Sequence, residues 1–355
     1  MSGPKLDREA MSSTLAGDVP AVVGTLPGGA SPWAIARRRL FRNWIAMTML
    51  VVLAVIVAAS VAAPFYAQHV AHTDPFRSNL EGTTVVDGKR VPIMRPETGG
   101  LGLGVTPIGP TWDPEHYFLG ADNQGRDVAA RLLYGGRNSL LIGFFAALIT
   151  CVLGTAIGLA AGFFGGYVDG VLSRGLDIVW AFPVYLLAIC LSTVLITQGV
   201  AFGPFSIGSG SVVLPIAIIG VVYVPYVGRP IRGEVLSLRR REFVEAAIGL
   251  GASNRRLIVK DILPNVVTTV IVFFPLVMAL AMLTEAALSF LSIGVQPPDA
   301  SWGTIIQDGD GLIYTRPAVA LAPGIAIAVT VLALNVLGDG IRDALDPRAK
   351  LRGFR

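Results

Sequence analysis

The residues able to do chemistry are few in this chain, and their spacing suits no known centre. Its soft ligands and nucleophiles are His69, His72, His116, Cys151 and Cys190. Three histidines cannot complete a zinc or haem site unaided, and His69 and His72 read as solvated loop residues before they read as a metal pair. Both cysteines sit inside apolar runs, which makes them small core residues and not a disulfide framework. The nearest approach to a phosphate-cradling loop, Gly82 to Gly88-Lys89, has five intervening residues where four are needed. Arg90 follows where Ser or Thr must reach Mg²⁺. There is no H-E-x-x-H and no nucleophile elbow. No catalytic residue, metal site or cofactor is therefore expected. Chemistry-bearing residues of another kind remain: one acid, Glu285, inside an apolar run; a cluster of Arg126, Asp127 and Arg131; and a basic segment, residues 229–264, that contains Glu245.

The elements that must carry these residues follow from composition. Of 355 residues, 53% are hydrophobic and 15% charged, and mean hydropathy is +0.65. Too little charge is present to cover a water-soluble fold of this size. The net charge of +4 is too small to imply nucleic acid. A helix needs about 20 apolar residues to cross a bilayer. Six such runs occur, at residues 44–66, 139–164, 178–200, 212–228, 266–291 and 318–337. They are continuous and not alternating, so they predict helices and not barrel strands. The first starts too far along the chain, and is too long, for a cleaved signal.

Basic residues set the direction. Arg37, Arg38, Arg39 and Arg42 precede the first span; eight basic residues lie between spans four and five; Arg342, Arg348, Lys350, Arg352 and Arg355 follow the last. The intervening loops 201–211 and 292–317 contain one arginine, Arg316. Both termini are expected in the cytoplasm. The chain then divides into a disordered tail (1–31), a basic flank with the first helix (32–66), an extracytoplasmic loop (67–138), a five-helix core (139–340) and a cytoplasmic tail (341–355). A small β excursion is expected around residues 83–92, with Asp87-Gly88 as its turn.

Segment 229–264, within that core, is an unusually long cytoplasmic loop. Phe243, Ala246, Ala247 and Leu250 recur at helical spacing and make one apolar stripe. Gly249 and Gly251 close that helix. Ser253 can cap a second one, and Pro264 suits the first turn of the next span. The result is a helical hairpin with an apolar face and a basic surround. It fits a lipid surface, the spans themselves, or a groove on a cytosolic protein.

Glu245-Ala246-Ala247, three residues, Gly251, and then Leu263-Pro264 resemble the EAA loop of ABC importer permeases. Asp261 stands where that family has Ile. Leu119-Gly120-Ala121-Asp122 with Gly125-Arg126-Asp127, the run from Glu285 to Leu291, Pro297-Pro298, Ser301-Trp302-Gly303, and Asn335, Gly338-Asp339, Arg342-Asp343 and Asp346-Pro347 resemble the dipeptide/oligopeptide/nickel branch, in its C-type subunit. The resemblance covers roughly residues 116–350. It implies an all-α integral membrane protein with six transmembrane helices, type I ABC importer permease-like, in the bacterial plasma (inner) membrane. It implies a second homologous permease, two cytosolic ATPases bound at the EAA loop, and an extracytoplasmic binding protein that delivers peptides, nickel or another small solute. Phe243, Glu245, Ala246, Ala247, Leu250, Gly251, Leu263 and Pro264 would then form the ATPase-coupling element.

The remaining candidates carry two readings each. Glu245 either accepts a charge-assisted bond from an arginine or stabilises a helix N-terminus. Glu285 either faces a pathway or partner, since charge inside a bilayer is costly, or lies at the wet outer end of its span. Arg126, Asp127 and Arg131 belong to an interfacial segment or touch the binding protein. Trp302 reads as an interfacial anchor. Asp339, Arg342, Asp343 and Asp346 read as a solvated ion-pair strip. An ion-coupled carrier would need several acids at mid-membrane, and only Glu285 qualifies. A membrane enzyme would show a catalytic constellation.

Overall fold

A computed structural model describes residues 32–86, 88–96, 104–198, 200–202, 205–208 and 210–346. The tail 1–31, Asp87 and residues 347–355 lie outside it. Helix α1 (Pro32–Arg42) leads to α2 (Trp44–Val61), whose first turn is capped by Asn43 accepting from the Ala46 N–H at 3.2 Å. The outer loop follows, with β1 (Thr83–Val86) paired to β2 (Lys89–Pro92) and β3 (Met94–Pro96) paired to β4 (Val105–Pro107). Then come α3 (Val128–Phe164), α4 (Gly166–Ala181) and α5 (Val184–Gln198), and next α6 (Val213–Leu238). The cytoplasmic helix α7 (Glu242–Gly249) precedes α8 (Asn254–Phe290), the outer helix α9 (Trp302–Asp310) and α10 (Ala318–Leu345).

Five of these helices (α2, α3, α6, α8 and α10) are long and apolar enough to cross a membrane, and the pair α4 and α5, bent by 89°, makes a sixth crossing if counted as one span. The third apolar run is therefore not one straight helix from residue 178. Its break has a local cause. Pro183 forces Phe182 into extended backbone, with φ −90° and ψ 139°, and ends α4 there. Charged α4 is held to α6 by Arg232 on Asp169, at 2.5 and 2.6 Å, and by Arg229 on Asp177, at 2.6 Å.

The second run also starts earlier than its hydropathy. Helix α3 begins at Val128 because Asp127 accepts the Ala130 N–H at 3.0 Å, and its first turns are covered by protein. Deeper in the membrane, Gly154, Gly158 and Gly162 form a small-residue seam against α6. A Cβ on each would lie 2.8 Å from Val227 Cβ, 2.6 Å from the Gly228 carbonyl oxygen and 2.8 Å from Val235 Cβ. Dispersion and close backbone approach, rather than the hydrophobic effect, hold helices together in lipid. Gly158→Val is expected to cost about 3 kcal/mol, the upper end for overpacking, because its contact is backbone that cannot rotate away. Thermal unfolding in detergent checks this, with Gly170→Val, where a Cβ meets nothing, expected to stay close to wild type.

Cys151 is buried among apolar side chains, but Cys190 is exposed on α5 and is not a core residue. Among the described residues no ion pair joins Arg342 to Asp339 or Asp343, and these three side chains form an exposed face of α10.

Candidate functional site

The cytoplasmic elbow is built by backbone geometry at Gly251. At the end of α7 the Ala252 N–H donates to the Ala247 carbonyl at 3.0 Å and the Gly251 N–H to the Ile248 carbonyl at 2.9 Å. This is the Schellman arrangement, and it requires a left-handed residue between them. Gly251 supplies it with φ +78°, in open space. Gly249 does not share that role; it is the last residue of the helix proper. Ser253 precedes the next helix, but its side chain makes no cap bond. The second arm of the expected hairpin is in fact continuous with the next span, α8. It enters through a π-helical turn, Leu257–Ile262, and Leu263 and Pro264 open the α-helical part. Asp261 lies in that π turn, where its Oδ2 is buried and has no hydrogen-bond partner.

The elbow has two apolar faces. Val244 and Leu257 are buried in one cluster with Phe163, Val235, Ile262 and Val266, and Ala247, Ala252 and Ile258 pack against it. This inner face packs α7 against the π turn at the cytoplasmic end of α8, in a cluster that also holds Phe163 of α3 and Val235 of α6. Arg239, over the Phe163 ring at 5.4 Å, closes its edge. The outer face carries Phe243 (47% exposed), Ala246 and Leu250 (89% exposed), and Ile248 is exposed on the other flank of the helix. Glu245 is exposed beside them, in the first turn of α7, where an acid stabilises the helix dipole. Among the described residues it forms no ion pair.

A second constellation lies at the other side of the membrane. Arg126, Asp127 and Arg131 are 5%, 0% and 2% exposed, so they face the protein and not a partner's surface. Arg126 Nε donates to Asp122 at 2.7 Å, and Asp308 Oδ2 accepts from Arg126 at 2.8 Å and from Arg131 at 2.9 Å. Arg131 also donates to the Pro75 carbonyl at 3.1 Å. Two arginines and two aspartates thus neutralise one another, and they bind the head of α3 to α9. Glu285 is fully buried rather than wet. Its two oxygens accept from Ser139 at 2.9 Å and Ser289 at 2.7 Å. Trp302 is buried as well, its indole N–H donating to the Leu132 carbonyl at 2.9 Å; it is a packing residue and not an interfacial anchor.

Comparison with known proteins decides what this arrangement belongs to. The family model described as "binding-protein-dependent transport system inner membrane component" matches residues 154–351. The N-terminal transmembrane domain of oligopeptide transport permease C matches residues 31–81. This chain belongs to the binding-protein-dependent inner membrane permeases. The dipeptide transport system permease protein of Alkalihalophilus pseudofirmus is 36% identical over 321 residues, 90% of this chain and 91% of that protein. The oligopeptide transport system permease protein of Haemophilus influenzae is 35% identical, over 90% of each chain. A glutathione transport system permease protein of Pectobacterium atrosepticum is 38% identical over 66% of this chain and 73% of its own. The permease is thus a multi-pass transport subunit of the bacterial inner membrane.

Sequence reasoning about this permease missed Asp308 and Ser139, and it placed Ser289 in the run from Glu285 to Leu291 without pairing it to Glu285. Nothing in the local sequence marks Asp308 or Ser139. Asp127 was found, but its setting was not. Burial pushes its pKa up to about 6, against hydrogen bonds from the Ala130 and Ala129 N–H groups that pull it down. Its Oδ2 has no partner. The folded state therefore holds a proton that the unfolded chain releases near pH 4. Any stability tied to this group is fully present below pH 4 and is lost as pH rises through 6. Asp127→Asn keeps the cap oxygen and removes the titration. Thermal unfolding is expected to show the variant and wild type alike near pH 4 and the variant ahead by up to about 2–3 kcal/mol at pH 7.5; a gap independent of pH would contradict the assignment.

Proposed function

We propose that this permease forms half of a path by which short peptides enter the cell, paired with a second homologous permease. An extracytoplasmic binding protein delivers the peptide. Two ATPase subunits on the cytosolic side supply the energy and grip each permease at its elbow. The elbow itself supports this most: α7 packs on one face against the cytoplasmic end of α8 and offers Phe243, Ala246 and Leu250 to a partner on the other. Such a rigid lever with an apolar outer face suits a protein groove. A load placed on α7 passes into α8 through packing across the elbow, since Val244 shares a cluster with Leu257 and Ile262 of the π turn, and that turn is continuous with the span.

Peptides are proposed because relatives matching about nine-tenths of this chain are named for dipeptide and oligopeptide transport. Glutathione, named for another relative, is itself a tripeptide. ATP hydrolysis is assigned to the separate subunits. The test is uptake in a strain lacking this gene, supplied with labelled di-, tri- and pentapeptides and, in parallel, with nickel. The expected result is loss of peptide uptake at normal nickel uptake, restored by the gene. Loss of nickel uptake alone would overturn the peptide reading and leave the permease assignment standing.

A further inference from the structure

Several sequence features with no part in the elbow converge on one place. The segment around Asp122 and Arg126, the acid Glu285, and Ser301-Trp302-Gly303 all meet where α9 lies against the head of α3. The Trp302 N–H, at the first position of α9, donates to Ser139 Oγ at 3.1 Å, and Ser139 donates to Glu285 at 2.9 Å. The Val295 N–H donates to Ser289 Oγ at 3.0 Å, and Ser289 donates to the other Glu285 oxygen at 2.7 Å. One carboxylate thus holds two backbone amides of the outer segment through two hydroxyls. Asn138 adds a bond to the Ala300 carbonyl at 2.8 Å. The far end of α9 is fixed by Asp308 on Arg126 and Arg131.

Packing closes the remaining space. A Cβ on Gly303 would lie 2.5 Å from the Ala286 carbonyl oxygen, and one on Gly135 would lie 3.0 Å from the Ser301 carbonyl carbon. A lid that swings open over a path needs a loosely held end. Here both ends are bonded and the middle is in backbone contact.

We propose that Glu285 is a positioning residue that joins α9, the head of α3 and the outer end of α8 into one rigid block, and that the outer mouth opens by moving this block whole. The inference rests on the permease alternating between outward and inward openings, and not on what it carries. Its test therefore needs no solute. Spin labels are placed at Arg137→Cys on α3 and Gln307→Cys on α9, both exposed and outside the contacts named, in a chain with Cys151 and Cys190 replaced by Ala. The complete transporter is compared without nucleotide and after vanadate trapping. A second pair, from Arg137→Cys to the outer end of the companion permease, selects conditions in which the mouth has moved.

The expected result is one narrow Arg137–Gln307 distance, the same in both states. A shift or a second population on trapping would overturn the proposal, since α9 would then be a lid. Glu285→Leu is expected to broaden that distance several-fold, while Glu285→Gln, which still bonds both hydroxyls, stays near wild type. If Glu285→Leu does not reach the membrane, Ser139→Ala removes one relay alone and is expected to give intermediate broadening. A wild-type distance in every variant that assembles would remove Glu285 from the role.

Discussion

Replacing Phe243 and Leu250 together by serine is expected to release the ATPase subunits from the permease without disturbing its fold. Both side chains stand on the outer face of α7, 47% and 89% exposed. Neither fills the cluster beneath, where Val244 and Leu257 lie. Exposed positions of this kind change folding stability by about 0.5 kcal/mol or less. At an interface, large apolar side chains seated in a partner's pocket are worth roughly 2 kcal/mol or more each. Their joint loss, about 4 kcal/mol, corresponds to an affinity drop on the order of 700-fold. Co-purification from detergent, read beside thermal unfolding of the permease, separates the two effects. The matching change on the inner face, Val244→Ser, is expected to do the reverse, lowering the unfolding temperature before it weakens ATPase binding.

Arg131→Ala is expected to be the most damaging single change at the outer side. Arg131 is 2% exposed and shares Asp308 and Asp122 with Arg126. Its removal leaves two carboxylates against one guanidinium in a protein interior. Breaking such a buried set on one side costs about 3–5 kcal/mol, whereas replacing the charges together costs far less. Arg131→Leu combined with Asp308→Leu is accordingly expected to recover much of the loss. Membrane abundance and the unfolding temperature of the two variants decide it. Equal damage from both would mean that the shape of the site matters and its charge balance does not.

Much of this was legible in the order of residues. Apolar length placed the spans, and arginine placement gave them a direction. The stripe through Phe243 and Leu250 announced α7, and Gly251 its end, because a left-handed cap has a residue signature. Three things were hidden for stated reasons. The break at Phe182 lies within a charge-free run, where hydropathy sees only continuity, although Pro183 is its physical cause. The start of α3 at Val128 was concealed because its first turns are buried by protein and so need no apolar run. Ser139 and Asp308 act through contacts with residues more than a hundred positions away, which no local pattern records, whereas Ser289 stands one helical turn after Glu285, a spacing that was readable. The glycines at 154, 158 and 162 were readable as a small-residue seam, and their spacing is the signal that could have found α6 as the partner of α3.

The permease is driven through whichever molecule touches the outer face of α7 in a working cell. A photo-reactive side chain introduced at Leu250, in cells carrying the whole transport system, identifies that molecule directly. The expected product is a covalent adduct between the permease and an ATPase subunit, lost when Phe243 is changed to serine. Adducts with phospholipid alone, in cells that still import through this permease, would contradict it.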